Sequence, residues 1–205
     1  QTATLQLAKA WSGTSPATDS ATIGVTTGGL NNTTSFTTVG GIAADSGTAV
    51  TVAVGNTITF PAETGTNIGN YNTVLSCLAD SGATANTLSG TDGQVSNTLV
   101  IDAGDSGKAI VCTYTNTRKT ATLTLRKTWA ASSIAGNTTT VTSTGFTNNA
   151  SSGLSPATAI GNTTTGSVVT VYAGESGTIT EAFTVGSASN YNAVLTCTGN
   201  ATALV

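Results

Sequence analysis

Residues Val111–Trp129 read VCTYTNTRKTATLTLRKTW. The first part, Val111-Cys112-Thr113-Tyr114-Thr115-Asn116, alternates apolar and polar side chains, as a half-buried strand does. The second part, Ala121–Trp129, alternates in the same way. Only Thr117-Arg118-Lys119-Thr120 lies between them, too short for a flexible tether. The second part also repeats the opening of the chain. Thr2-Ala3-Thr4-Leu5-Gln6-Leu7-Ala8-Lys9-Ala10-Trp11 aligns with Thr120-Ala121-Thr122-Leu123-Thr124-Leu125-Arg126-Lys127-Thr128-Trp129, an offset of 118 residues. The stretch therefore reads as the last strand of one domain running straight into the first strand of its copy.

Further matches extend the repeat in both directions. Asn70-Tyr71-Asn72-Thr73-Val74-Leu75-Ser76-Cys77 recurs as Asn190-Tyr191-Asn192-Ala193-Val194-Leu195-Thr196-Cys197, offset by 120, and Val50-Thr51-Val52 recurs as Val169-Thr170-Val171, offset by 119. A repeat of this length is the size of one domain. We expect a first domain over residues 1–119 and a second over residues 120–205. In the first, alternation places strands near Thr4–Trp11, Thr22–Thr26, Phe36–Val39, Ala49–Val54, Thr57–Phe60, Asn72–Leu78, Thr98–Ile101 and Ala109–Asn116. Gly28-Gly29, Gly40-Gly41, Gly55-Asn56 and Asp92-Gly93 mark turns. No stretch has helical periodicity. The expected fold class is all-β, tandem immunoglobulin-like or prealbumin-like β-sandwiches. The second domain follows the same plan to Cys197. Counterparts of the last two strands then have no place before Val205, so the second repeat reads as incomplete, with an open sheet edge.

Composition narrows the function. Only 7% of residues are charged, against 38% apolar, and the net charge is −3. Regular apolar spacing at low net charge favours folded β-structure over a disordered coil. Threonine suits a strand, because its branched Cβ fits the pleat. Lys and Arg total six, which argues against nucleic acid and against an anionic membrane surface. No apolar run is long enough to span a membrane. Histidine is absent, so no Ser-His or Cys-His pair can form and zinc lacks its usual ligand. The nine acidic residues fall in unrelated turns, which does not suit a two-carboxylate glycosidase. No enzyme and no cofactor is expected. The chain opens on Gln1 without methionine, which reads as processing or as excision from something longer.

Cys77 and Cys112 each lie on an expected strand, and the composition points outside the cell, so a disulfide between them is expected rather than two buried thiols. Closing that loop is worth about 3–4 kcal/mol in the chain-entropy account. Cys197 repeats Cys77 and has no partner in the sequence. The acidic turns Ala103-Gly104-Asp105-Ser106-Gly107 and Ala173-Gly174-Glu175-Ser176-Gly177 lack the repeated ligands of a calcium loop and read as ordinary turns. Sequons at Asn31, Asn32, Asn137, Asn149, Asn162 and Asn200 arise freely in so Thr-rich a chain.

Lys9 and Lys127 fall in phase with Leu5, Leu7 and Trp11 or with their copies. A lysine in line with core residues is costly unless it is paired or neutralised. With Thr113-Tyr114-Thr115-Asn116-Thr117 and Thr178-Ile179-Thr180-Glu181-Ala182, these residues resemble the Cna-B-like, prealbumin-fold repeat domains of bacterial surface proteins. The resemblance implies an intramolecular isopeptide bond between a lysine of the first strand and an asparagine of the last, assisted by a buried carboxylate. Lys9 and Asn116 match the two reacting positions. Lys127 and Glu181 are the family-like residues of the second repeat. The first repeat departs from the pattern: Phe60, in Thr57-Ile58-Thr59-Phe60, aligns with Glu181, and the nearest carboxylate is Glu63. The alternative is that Lys9 snorkels to the sheet edge and Asn116 satisfies a turn.

The function expected from these features is structural. The chain reads as a subunit or repeat segment of a bacterial extracellular filament, stalk or surface adhesin. Its partners would be copies of itself or adjacent repeats, joined end to end by β-strand pairing. The other class is a carbohydrate- or host-protein-binding sandwich, for which loop aromatics would speak. Trp11 and Trp129 sit on strands instead, although Tyr71 and Tyr191 follow turns.

Overall fold

A computed structural model describes residues 1–12, 14–27, 34–79, 84–89, 97–158 and 161–199. The expected turns at Gly28-Gly29 and Asp92-Gly93 and the sequons at Asn31, Asn32 and Asn200 lie outside these residues. The chain divides into two compact units, Gln1–Thr120 with Tyr172–Gly174, and Ala121–Val171 with the chain from Glu175 on. Three 3-10 turns of three residues each are the only helical elements among the described residues.

The first unit is a two-sheet sandwich. Its strands are β1 (Thr2–Ser12), β2 (Ser20–Thr27), β3 (Thr34–Val39), β4 (Ala44–Ser46), β5 (Val50–Ala53), β6 (Thr57–Phe60), β7 (Tyr71–Ala79), β8 (Thr84–Ser89), β9 (Asn97–Val100) and β10 (Ala109–Arg118). One sheet runs β4-β1-β10-β7-β8, with β5 sharing the outer edge of β1; the other runs β3-β2-β6-β9. The first and last strands, β1 and β10, are parallel neighbours, with Leu5 beside Ile110 and Trp11 beside Asn116. The alternation supplies the core: Leu5, Leu7, Ile23, Val52, Ile58, Phe60, Leu75, Ile101 and Tyr114 all point inward and are buried. Glycine is required at the β5–β6 turn, where Gly55 has φ +93° and the Asn56 side chain accepts a hydrogen bond from Ala53 N.

Every expected strand of this unit is present, with ends shifted by a few residues. Two strands carry no readable signal. β4 is three residues long, Ala-Asp-Ser, and β8 offers one large apolar residue, Leu88, so neither alternates. Cys77 on β7 lies directly opposite Cys112 on β10, their Cα atoms 4.0 Å apart, and the two are joined by a disulfide.

From Thr120 the pattern recurs as β11 (Thr120–Leu123), β12 (Arg126–Thr128), β13 (Thr138–Thr144), β14 (Ser151–Pro156), β15 (Thr163–Thr165), β16 (Val169–Tyr172) and β17 (Thr178–Val185). Strands pair as β11-β16, β12-β15 and β14-β13-β17. The second unit does not, however, follow the first as far as Cys197. It stops at β17 and the 3-10 turn Ala188–Asn190; Tyr191–Cys197, which align with β7, are not in a strand. In the first unit β7 is held between β10 and β8. Among the described residues the second unit has no such neighbours, and a single strand without ladder partners has nothing to hold it extended.

Candidate functional site

Four polar side chains meet inside the first sandwich, each from a different segment. Lys9 comes from β1, Thr73 from β7, Asn116 from β10 and Glu63 from the segment after β6. Alternation aims Lys9 inward with Leu5, Leu7 and Trp11, and Thr73 inward with Tyr71, Leu75 and Cys77. Asn116 is flanked by Trp11 on β1 and by Thr73 on β7, its direct cross-strand neighbours. Lys9 pairs in register with Tyr114, so Asn116 lies two residues further along the neighbouring parallel strand, on the same face.

All four are shut off from water: Lys9, Thr73 and Asn116 are 0% exposed and Glu63 is 2% exposed. Lys9 Nζ donates to Glu63 Oε1 at 2.5 Å. Thr73 Oγ1 lies 3.1 Å from Glu63 Oε2 and 2.7 Å from Asn116 Oδ1. The chain of contacts thus runs from amine to carboxyl to hydroxyl to carboxamide. Asn116 Nδ2 is buried without a hydrogen-bond partner. Burial lowers the Lys9 amine from its usual 10.5 to about 8, and the charge and hydrogen bond of Glu63 only partly offset it. Trp11 lies under the ammonium, its ring centre 4.8 Å away. Tyr114 OH donates to Pro61 O at 3.3 Å, and burial, aided by Glu63, pushes its phenol well above the ordinary range.

This geometry revises two readings of the sequence. Lys9 does not snorkel, and Asn116 is mid-strand rather than in a turn. Nor does Phe60 take the place of Glu181. Thr22 bridges to Thr64, and the residues 118 further on, Thr140 and Ala182, are likewise paired; this aligns Glu63 with Glu181. Thr59 pairs with Thr26 as Thr178 pairs with Thr144, which places Phe60 with Ile179. One extra residue around Pro61 interrupts in the first unit the strand that runs unbroken as β17 in the second. Identity matching across that insertion put the two acids out of step.

Sequence reasoning did not single out Thr73. Its signal was available: a polar residue in phase with Tyr71, Leu75 and Cys77, replaced by Ala193 in the copy. Asp19 was also overlooked. It is buried and accepts from Tyr71 OH at 2.5 Å and Asn67 Nδ2 at 2.8 Å.

The second unit holds the matching half of the cluster. Lys127 Nζ lies 2.7 Å from Glu181 Oε1 and 4.6 Å from the centre of the Trp129 ring, but the paired side chains are 17% and 21% exposed. Cys197 is a free, exposed thiol. The two acidic turns are structural. Asp102 and Asp105 cap a 3-10 turn reciprocally, and Glu175 accepts from Thr147 N at 3.1 Å. No group of three or more residues able to hold a metal ion occurs among the described residues.

A family model described as a prealbumin-like fold domain, of SpaA type, matches residues 4–118. No curated protein and no solved structure gives a significant match.

Proposed function

Because the chain belongs to the family of SpaA-type prealbumin-like fold domains, a class of bacterial-surface structural modules, we propose that it is a load-bearing segment of an extracellular filament, stalk or adhesin. The observation that carries this reading is the buried Lys9–Glu63–Thr73–Asn116 chain set between the first and last strands. Because β1 and β10 are parallel, the first unit enters and leaves at opposite ends of its sheet. Tension on the two ends therefore shears the β1–β10 ladder. A Lys9–Asn116 isopeptide bond would carry that load through a covalent link, and the Cys77–Cys112 disulfide fastens β10 to β7. Intact mass tests the bond: its formation removes one ammonia, about 17 Da, and Lys9→Ala abolishes the loss. Wild-type protein that folds and keeps its full mass rules the bond out.

The same reading includes assembly through the second unit. Among the described residues, β12 has a strand on one side only, where β1 has β10 on the other. Leu123, Val171 and Ile179 are only half-buried, whereas their counterparts Leu5, Val52 and Phe60 are sealed. A strand added from a copy of the chain or from an adjacent repeat would pair the free backbone groups and cover the apolar face. Amide spectra of the chain alone and with excess neighbouring repeat test this. Dispersed signals from all of the second unit without a partner would refute it; sharpening on addition would support it.

A further inference from the structure

We propose that Thr73 is the proton relay of the Lys9–Asn116 condensation, carrying a proton from Glu63 to the carboxamide oxygen of Asn116. The inference rests on the isopeptide reading above and adds a catalytic residue to it. A threonine hydroxyl has one proton. Here it faces two acceptor oxygens, Glu63 Oε2 at 3.1 Å and Asn116 Oδ1 at 2.7 Å. With Glu63 ionised, only one of these contacts can be a full hydrogen bond. With Glu63 protonated both are: the carboxyl donates to Oγ1 and Oγ1 donates to Oδ1. Lys9 delivers its proton to Oε1, across their 2.5 Å contact, and the arrangement is complete once a half-turn of the neutral carboxyl about Cγ–Cδ brings that proton to the Thr73 side. The shorter contact, to Asn116, is the one the donating hydroxyl keeps.

The balance is as follows. The Lys9 ammonium gives one proton to Glu63 Oε1, leaving a neutral amine and a neutral acid, and a half-turn of the carboxyl about Cγ–Cδ presents that proton to Thr73 Oγ1. The amine lone pair attacks Asn116 Cγ, forming the Nζ–Cγ bond. The C=O electrons move to Oδ1, which takes the Thr73 proton while Glu63 replaces it. The proton shed by Nζ passes to Nδ2, the Cγ–Nδ2 bond breaks and ammonia leaves. As the carbonyl re-forms, the proton on Oδ1 returns through Thr73 to Glu63. An ammonium, a carboxylate and a carboxamide become a secondary amide, ammonia and a protonated Glu63. Asn116 Nδ2, buried without a partner, loses no hydrogen bond on departure. No oxidant, metal or further reactant is needed.

Thr73 is replaced by Ala193 in the second repeat, so the Lys127–Glu181 pair has no equivalent hydroxyl.

The test follows the loss of about 17 Da over time in the refolding 205-residue chain. Thr73→Val keeps the shape and removes the hydroxyl; we expect condensation about 100-fold slower, at the lower end for one general acid. Thr73→Ser, which restores it, should come within about threefold of wild type. The pH profile separates relay from mere packing. The wild-type rate should fall above pH 8, where Lys9 no longer brings the proton that the relay passes on, and the Val variant should lose that fall. Disulfide formation and Trp11 fluorescence confirm that the variants fold. If Thr73→Val does not fold, Thr73→Cys, a poorer donor, decides: a slowed rate supports the relay. A wild-type rate in the folded Val or Cys variant overturns it. Wild-type protein that never loses ammonia instead overturns the isopeptide reading itself.

Discussion

The two units place the same three residues in the same register and give them different environments. Lys9 and Lys127 each contact a carboxylate and lie over a tryptophan two residues along the chain. In the first unit that pair is sealed; in the second both partners reach solvent. What differs is the cover. In the first unit β10 lies against β1 and β7 against β10, and they bring Asn116 and Thr73 with them. The first strand and its acid therefore do not make the site. Desolvation makes it, and the last strands of the sandwich supply the desolvation.

The comparison breaks first at the lysines. Lys9→Ala strands Glu63 in the core without its cation. We expect the first unit to lose about 3–5 kcal/mol, as for breaking a buried ion pair. Lys127→Ala should cost less than about 1 kcal/mol, because its pair is partly hydrated. Separate thermal transitions for the two units, read by calorimetry, would show the asymmetry. Equal losses would mean that burial is not what distinguishes the sites.

The cysteines come next. Reducing Cys77–Cys112, or replacing both with alanine, reopens a loop with a sequence separation of 35 residues. The chain-entropy estimate is about 3–4 kcal/mol. Cys197→Ala removes an exposed thiol and should leave both transitions unchanged. A shift of the second transition on Cys197→Ala would show that the thiol has a partner in solution.

How much of this was legible follows from how strands encode themselves. Alternation announces a face, so Leu5, Leu7, Lys9 and Trp11 were placed together from spacing alone, and the structure buries all four. The carboxylate was harder to place. Glu63 sits beyond the strand, after Pro61, where no period applies; a one-residue insertion shifted it against Glu181. Thr73 was hidden for another reason. In a chain this rich in threonine one more raises no signal, and its role depends on β10 meeting β7 with Asn116 opposite Thr73, a long-range pairing that no local pattern contains. The failure of Tyr191–Cys197 to form a strand was invisible for the same reason: the sequence of β7 is nearly all there, but a strand needs ladder partners, and among the described residues the second unit supplies none for it.

The smallest effect is expected at the tyrosines that follow the 3-10 turns, and it separates two kinds of hydrogen bond. Tyr71 packs edge-on against Trp11 and donates to the buried Asp19 carboxylate. Tyr191 packs against Trp129 and Phe183, and its oxygen accepts from Asn137 Nδ2 at 2.7 Å and Ile134 N at 3.1 Å. Asn137 stands where Asp19 does, 118 residues on, so the second unit has exchanged a charged acceptor for a neutral donor. Tyr71→Phe takes a donor from a buried anion and should cost about 1.5–3 kcal/mol; Tyr191→Phe removes a neutral acceptor and should cost about 1 kcal/mol. Alkaline pH gives an independent reading. Burial and the Asp19 bond raise the Tyr71 phenol from 10 to about 12. An acid whose folded value is raised contributes stability that is whole below pH 10 and is lost as pH climbs toward 12, because the unfolded chain ionises first. Wild type should therefore lose stability in the first unit over that interval, and Tyr71→Phe should lose less. If the two proteins fall in parallel between pH 10 and 12, the Tyr71–Asp19 bond does not stabilise the neutral phenol, and the contrast with Tyr191 reduces to ring packing.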